Sequence, residues 1–158
     1  MNVGKEFESN IKNSIDNFKE NREIFFYRFK DSPISWNNTN NTSFTVSNVC
    51  DCLMFKSPIL AMVELKTTKG KAYSITKQGF KQIEKLSKLG EYKNLKKGFI
   101  INFRDLNVTY YIELKHFLNF LSDTGKKSIR YSECELYGIR IPETIKRIKP
   151  YYDLSVIF

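Results

Sequence analysis

The chain has 158 residues, of which 41% are hydrophobic, and this size and composition predict one domain with its own hydrophobic core. Lys and Arg exceed Asp and Glu by nine charges, which favours a nucleic acid as partner, although solubility pressure or codon usage also produces lysine-rich chains. No stretch approaches the roughly 20 apolar residues of a membrane-spanning helix. The polar N-terminus does not resemble a signal peptide, and three cysteines argue against a disulfide framework, so we expect a cytoplasmic protein.

Hydrophobic periodicity predicts alternating helices and strands along one domain, residues 1–158. The expected elements, in chain order, are a helix at 4–20, strands at 23–30, 49–55 and 59–66, a helix at 77–89, strands at 98–104 and 108–112, a helix at 113–122 and a β-like run at 154–158. The polar, asparagine-rich segment 31–48 is expected to be a short stalk-like or loop excursion, because neither flank can bury a core alone. This order indicates an α/β fold, a mixed β-sheet flanked by helices, and the nearly all-apolar strand 98–104 is expected to be central.

Two carboxylates and an ammonium group stand close together on the second and third strands. Asp51 lies near the start of one predicted strand, and Glu64 and Lys66 end the next. Because alternate residues of a strand share a face, Glu64 and Lys66 project together, about 7 Å apart, while Val63 and Leu65 face the core. Such a group can hold a hard divalent cation and polarise a phosphate or a water, which metal-dependent phosphodiester cleavage requires.

Each of these residues also has a structural explanation. Asp51 can cap a turn, and Glu64 with Lys66 can form an exposed ion pair on an edge strand. The apolar run before Glu64 is typical of a buried strand, where an uncompensated charge is costly, and it counts against the second explanation. Gln82 lies on the leucine side of the predicted helix 77–89, where its amide either bonds to backbone at the core edge or orients a metal-bound water or a phosphate.

Two basic segments are candidates for contact with phosphate groups. One combines the loop 67–71 with a lysine-bearing face of the helix 77–89, and its alternative is an ordinary solvated surface. The other is the Gly-Lys-Lys-Ser segment at 125–128. The candidate DNA-binding residues are Lys69, Lys71, Lys77, Lys81, Lys85, Lys126 and Lys127.

Other catalytic chemistries lack their residues. Cys50 and Cys52, with the distant Cys134 and His116, do not make a zinc pattern. Glycine-rich phosphate loops and dinucleotide-binding fingerprints are also absent from the sequence.

The ordered motifs match the PD-(D/E)XK nuclease core: Asp51, the Glu64-Leu65-Lys66 triplet after an apolar strand, and a helix bearing Gln82. Over nearly its whole length the chain resembles the RecU-type Holliday junction resolvases of Gram-positive bacteria and their phages, and its short length is typical of a phage or mobile-element version. The further segments that carry the resemblance are Gly4-x-x-Phe7-Glu8, Cys50-Asp51, Gln82-Ile83-Glu84, Gly98-Phe99-Ile100-Ile101, Gly125-Lys126-Lys127-Ser128-Ile129 and the run 154–158.

The resemblance implies a restriction-endonuclease-like fold and a Mg²⁺-dependent endonuclease, with Mn²⁺ able to substitute, acting on branched DNA. It implies Asp51 and Glu64 as metal ligands, and Lys66 as the group that positions the attacking water and offsets charge on the phosphate. Glu8, which lies near the apolar stripe of the first helix, would complete or support the metal site, and Gln82 would orient it. A homodimer that cuts two strands of a four-way junction symmetrically is also implied.

The segment 31–48 departs from the family, which carries a long stalk at this place, and Cys50 replaces the usual threonine before the catalytic aspartate. One alternative hypothesis is therefore a PD-(D/E)XK endonuclease that acts on other duplex or branched DNA. The other is a DNA-binding accessory without activity, against which the intact Asp51, Glu64 and Lys66 count.

Overall fold

The computed structural model describes residues 2–30 and 48–158. Within these ranges the elements are α1 (Val3–Asn17), a 3₁₀ helix (Lys19–Asn21), β1 (Phe25–Arg28), β2 (Cys52–Lys56), β3 (Ile59–Thr68), β4 (Ala72–Ser74), α2 (Lys77–Ser87), β5 (Leu95–Phe103), a 3₁₀ helix (Arg104–Leu106), β6 (Val108–Glu113), α3 (Leu114–Thr124), β7 (Ser128–Arg130), α4 (Tyr131–Tyr137), β8 (Ile139–Ile141), β9 (Glu143–Lys146), β10 (Lys149–Tyr152) and a 3₁₀ helix (Leu154–Ile157). The asparagine-rich excursion expected at 31–48 lies, except for Asn48, outside the described residues.

A six-stranded mixed sheet forms the centre of the molecule, in the order β1-β2-β3-β5-β6-β8. Strands β3 and β5 are parallel, and the other neighbouring strands are antiparallel. The pairs β4–β7 and β9–β10 form two further small antiparallel sheets. A mixed sheet flanked by helices confirms the predicted α/β fold. None of the helices in the described ranges is long and apolar enough to cross a membrane.

Helices cover both faces of the sheet and create two apolar clusters. Phe7 and Ile11 of α1 pack on one face, and side chains of α2 and α3 such as Leu86 and Phe117 pack on the other. Strand β5 lies between β3 and β6, and its residues 97–103 are buried, as expected for a nearly all-apolar central strand. Along β3, Val63 and Leu65 join the α1 cluster, so the alternate residues face the side of α2.

Side-chain caps fix where the helices α1 and α2 begin. The Asn2 side chain accepts a hydrogen bond from the Gly4 N–H, 3.0 Å away, at the start of α1. The Thr76 hydroxyl accepts one from the Gly79 N–H, 3.1 Å away, so α2 begins at Lys77 as the sequence predicts.

The predicted first helix is too long, because Phe18 is extended and ends α1 at Asn17. A separate 3₁₀ helix follows, and the buried Asn21 side chain donates to the carbonyl oxygens of Ser14 and Tyr152. Helical spacing alone would favour a helix that continues to residue 20. The bonds made by Asn21 instead stabilise the separate 3₁₀ helix.

The predicted strand at 154–158 is wrong. The Asp153 carboxylate accepts a hydrogen bond from the Ser155 N–H at 3.0 Å and starts a 3₁₀ helix, in which Leu154 and Ile157 are buried on the same side. The sequence prediction also missed the short elements β4 and β7, α4, β8 and the hairpin β9–β10.

Candidate active site

Asp51, Glu64 and Lys66 lie together at the junction of β2 and β3. The Lys66 Nζ atom is 2.7 Å from Glu64 Oε2 and 3.7 Å from Asp51 Oδ2. The Asp51 N–H donates to the Val63 carbonyl, and the Leu65 N–H donates to Asp51 Oδ2 at 2.7 Å. The backbone pairing thus continues one residue beyond β2 and holds the Asp51 carboxylate against β3.

Gln82 reaches the same cluster from α2. Its Nε2 atom donates to Glu64 Oε2 at 2.6 Å, so the amide bonds to the site carboxylate. Two donors, the Lys66 ammonium and the Gln82 amide, therefore meet at one oxygen of Glu64. The sequence left open whether Gln82 bonds to backbone at the core edge or orients a metal-bound water or a phosphate, and the second role stays a prediction.

Burial shapes the titration of the cluster. Glu64 is 1% exposed, and its burial, followed by the nearby Asp51 carboxylate, raises its pKa to about 7 in spite of Lys66. Burial alone would lower the pKa of the Lys66 ammonium, but Asp51 and Glu64 outweigh it and raise that pKa above its ordinary value. Lys66 therefore stays charged. Lys66 compensates the negative charge of Glu64 only in part, so the Glu64 carboxylate binds a proton more readily than an exposed glutamate does.

The residues of this cluster fit a hard divalent cation. Asp51 and Glu64 offer carboxylate oxygens. Burial of Glu64 and the nearby charge of the partly exposed Asp51 raise the pKa of Glu64, and a bound cation would stabilise both carboxylates. Within residues 2–30 and 48–158, no group of three or more His, Cys, Asp or Glu side chains could hold a metal ion. Water and substrate oxygens would therefore have to complete the coordination of Asp51 and Glu64.

The neighbouring cysteines do not compete for this role. Burial, and then Glu64, raises the pKa of the Cys50 thiol to about 12, and burial raises that of Cys52 well above its usual value. Both side chains thus remain neutral thiols at physiological pH, in keeping with the absence of a zinc pattern.

Glu8, the candidate third acid of the metal site, lies on α1, and its charge acts on the thiol of Cys52, the residue after Asp51. Glu8 is half-buried, as its position near the apolar stripe of the first helix predicts. The Glu8 carboxylate forms an ion pair with Arg28, whose strand position is opposite Cys52. Support of the metal site by Glu8 stays a prediction.

The two basic segments meet at the small sheet β4–β7. The Ile75 N–H donates to the Lys127 carbonyl at 2.9 Å, and the Tyr131 N–H donates to the Lys71 carbonyl at 3.1 Å. Six of the candidate DNA-binding lysines are exposed, namely Lys69, Lys71, Lys77, Lys81, Lys126 and Lys127. Lys85 is half-buried and donates to the Asn48 carbonyl, and Lys126 pairs with Glu133 at 2.6 Å. DNA contact by these lysines stays a prediction.

Sequence reasoning missed Tyr73, which lies on β4 near the cluster. Burial raises the pKa of its phenol, the Lys66 charge lowers it, and Glu64 and Asp51 also act on it. The Tyr73 hydroxyl packs against α2 at Gly79. A side chain at position 79 would place its Cβ atom 3.5 Å from this hydroxyl. The sequence predicts no element between the loop 67–71 and the helix 77–89, so nothing indicated that Tyr73 returns toward Lys66.

The central mixed sheet with helices on both faces is a fold that this chain shares with a protein of known structure. A solved structure with this fold is Hjc, a Holliday junction resolvase from the archaeal hyperthermophile Archaeoglobus fulgidus. It aligns with a TM-score of 0.56 and 14% sequence identity over 87% of this chain and 95% of that chain, a likeness that concerns the fold.

Sequence comparisons specify the family. The model of the family RecU, recombination protein U, matches residues 2–155. The SPbeta prophage-derived uncharacterized protein YotM of Bacillus subtilis strain 168 is 30% identical over 170 aligned positions, which cover 98% of this chain and 84% of that protein. The chain therefore belongs to the RecU family of Holliday junction resolvases, which are metal-dependent nucleases that cleave DNA. The resemblance expected from the motifs is confirmed, and one relative is prophage-derived.

Proposed function

We propose that this chain is a Mg²⁺-dependent endonuclease that resolves four-way DNA junctions by paired cleavage, with its hydrolytic site at Asp51, Glu64 and Lys66. The observation that carries the proposal is the almost fully buried Glu64 carboxylate, which contacts both Lys66 and Gln82 and lies near Asp51. Burial of a carboxylate costs free energy of folding, and its retention here supports a role in binding a ligand.

Asp51 and Glu64 are proposed to hold Mg²⁺, with Mn²⁺ able to substitute because both ions accept carboxylate and water oxygens. When bound, such a cation supplies Lewis-acid polarisation of the phosphate and of a coordinated water. The Leu65 N–H fixes one oxygen of Asp51, and Gln82 fixes one oxygen of Glu64, so both carboxylates are oriented by neighbouring groups.

Lys66 is proposed to position the attacking water and to offset negative charge that develops on the scissile phosphate. Its raised pKa keeps the ammonium charged, and its position between the two carboxylates directs that charge to the site. Glu8 is proposed to support the site from α1 through Arg28, which is paired with the strand that follows Asp51.

Branched DNA is the proposed partner, and a homodimer the proposed assembly. A two-fold enzyme on a nearly two-fold four-way junction can cut two strands at equivalent positions. The exposed lysines of α2 and of the segments that flank β4 and β7 would contact phosphate groups, which the net charge of +9 supports.

Cleavage of a labelled mobile four-way junction tests the assignment of Lys66. With Mg²⁺, we expect wild-type protein to cut the junction and Lys66→Ala to lose at least about 100-fold in rate, because charge stabilisation at the phosphate disappears. Lys115→Ala removes an exposed lysine of α3 that pairs with Glu113, and it should cut like the wild type. Equal rates for Lys66→Ala and Lys115→Ala would contradict the assignment.

A second candidate function is cleavage of other duplex or branched DNA by the same site. It is favoured by the short segment 31–48, which stands where the family carries a long stalk. Parallel assays on four-way, nicked and linear DNA discriminate the two functions. A clear preference for the four-way junction supports the resolvase, and equal rates on all three substrates support the alternative.

A further inference from the structure

The hairpin β9–β10 ends in a turn with an unusual sequence. Arg147 and Ile148 connect the two strands, and both have positive φ values, 48° and 71°. Two-residue hairpin turns with two positive φ values favour Asn-Gly or Asp-Gly. A β-branched residue in the left-handed region is a genuine outlier, so Ile148 is strained where a glycine or an asparagine would not be.

Two other unfavourable features occur at the same tip. Ile148 is 95% exposed, so its apolar side chain gains nothing from packing within the molecule. Lys146 and Lys149 are direct partners across the hairpin, and like charges in this position repel each other. Each of these three features disfavours the folded hairpin. Because all three occur at one tip, they indicate that the tip is retained for a function and not for stability.

The base of the hairpin is firmly attached to the rest of the molecule. The Tyr152 N–H donates to the Ser14 hydroxyl at 2.9 Å, and the Asn21 amide donates to the Tyr152 carbonyl at 2.7 Å. The Tyr152 ring meets Phe7 of α1 edge-on, with a centroid distance of 5.7 Å. The tip is therefore presented from a fixed base on α1, the helix that also carries Glu8.

We propose that Ile148 is an apolar wedge that enters between bases of bound DNA, while Lys146, Arg147 and Lys149 contact the flanking phosphates. Apolar side chains on basic elements unstack base steps in this manner, and the cations supply the sequence-independent attraction. The branch point of a four-way junction is the least costly place for the wedge, because base stacking is already interrupted there. The inference rests on the proposed function only in taking DNA as the ligand.

Fluorescence of 2-aminopurine, which rises when the base loses its stacking neighbours, tests the wedge directly. Four-way junctions and linear duplexes with the probe at successive positions are titrated with protein without divalent cations, so that no strand is cut. Wild-type protein should raise the fluorescence at positions beside the branch point. Ile148→Asn and Ile148→Gly should abolish the rise and weaken junction binding about 10- to 100-fold, the range expected for one buried isoleucine side chain.

The same variants separate the wedge from a folding defect. Asn and Gly tolerate a left-handed backbone, so both should unfold at the wild-type temperature or above it. Leu136→Asn is the matched control, because Leu136 is an 81% exposed apolar residue on α4 and should leave the fluorescence rise unchanged. Arg147→Gln should weaken binding to the junction and the duplex alike and reduce the salt slope by about one.

Several outcomes would overturn the wedge. One is that wild-type protein raises the fluorescence of no probe. Another is that an Ile148 variant retains both the fluorescence rise and the affinity. The third is that Ile148 is needed for binding to anionic phospholipid vesicles and not for binding to DNA. The cleavage assay with Mg²⁺ is independent of these results. If the protein unstacks the probe but cuts no junction, the wedge is supported and the proposed function is contradicted. If it cuts the junction but does not unstack the probe, the proposed function is supported and the wedge is contradicted.

Discussion

Glu64 is the residue at which folding and chemistry conflict most directly. Its carboxylate is buried beside Asp51, which penalises the charged form, while Lys66 and Gln82 donate hydrogen bonds that partly compensate. Glu64 thus lowers the free energy of unfolding, but its carboxylate is well suited to bind a cation. We infer that the charge is retained for its ligand.

The pH dependence of folding tests this interpretation of Glu64 in metal-free protein. Its pKa is about 7 in the folded chain against 4.5 without the fold, so the folded chain binds the extra proton between these values. The free energy of unfolding should therefore fall as the pH rises from 4.5 to 7, by about 1–3 kcal/mol from this group, and stay level above. Glu64→Gln, measured by urea denaturation in EDTA, should lack this part of the fall.

The control for this measurement is Glu84→Gln, because Glu84 is an exposed glutamate on α2 that pairs with Lys88. Its pH profile should follow that of the wild type. A Glu64→Gln profile parallel to the wild type would show that Glu64 titrates normally, and the electrostatic description of the site would then be incorrect.

Gln82 provides a second prediction at the residue scale. Gln82→Ala removes the 2.6 Å bond to Glu64 Oε2, so the carboxylate loses one of the groups that orient it. We expect about 10- to 100-fold weaker metal binding or slower junction cleavage, the usual effect of losing a group that orients a ligand. Gln78→Ala, on an exposed position of the same helix, should change neither. Indistinguishable kinetics for the two variants would remove Gln82 from the site.

At the scale of elements, Asn21 joins α1, β10 and the C-terminal 3₁₀ helix. Its amide donates to the carbonyls of Ser14 and Tyr152, and its Oδ1 atom accepts from the Leu154 N–H at 2.8 Å. Asn21→Ala would leave the Tyr152 carbonyl and the Leu154 N–H without these partners, whereas the Ser14 carbonyl still accepts from the Phe18 N–H. At about 1–3 kcal/mol for each deprived group, we expect a loss of at least about 2 kcal/mol in the free energy of unfolding.

Asn17→Ala is the comparison for that experiment, since the exposed Asn17 makes a single local bond to the Asn13 carbonyl. Urea denaturation should show little change for it. If both variants were equally stable, the three elements would be held together by apolar packing and not by Asn21.

Elements with a long, regular pattern were predictable from the sequence, and short ones were not. The apolar run before Glu64 predicts β3, and helical spacing predicts α2, so the sequence placed Glu64, Lys66 and Gln82 on their elements. The contact of Gln82 with Glu64 joins two elements and did not follow from either local pattern. The run 154–158 has the same apolar character as a strand, and only the cap by Asp153 makes it a 3₁₀ helix.

Contacts between distant segments explain most of what the sequence did not reveal. The ion pair of Glu8 with Arg28 and the approach of Tyr73 to Lys66 depend on strand pairing that no local pattern specifies. The hairpin β9–β10 was missed because its strands are only four residues each and its turn lacks glycine and asparagine.

For the molecule as a whole, charge and topology combine on one side of the sheet. Glu64 and Lys66 face α2, whose exposed lysines belong to the proposed phosphate track, and the β4–β7 pair joins the segments of Lys71 and Lys127. With a net charge of +9, the attraction to DNA is general, whereas cleavage depends on the small cluster. Binding and cleavage should therefore be separable by one substitution.

Asp51→Asn is that substitution, assayed on a labelled mobile four-way junction in Mg²⁺ beside the wild type. Asparagine can still accept the Leu65 N–H but no longer offers a charged ligand, so we expect cleavage to be abolished. Junction affinity should remain equal or increase, because a negative charge near the phosphate is lost. Normal cleavage by Asp51→Asn would contradict the assignment of Asp51, Glu64 and Lys66 as the hydrolytic site.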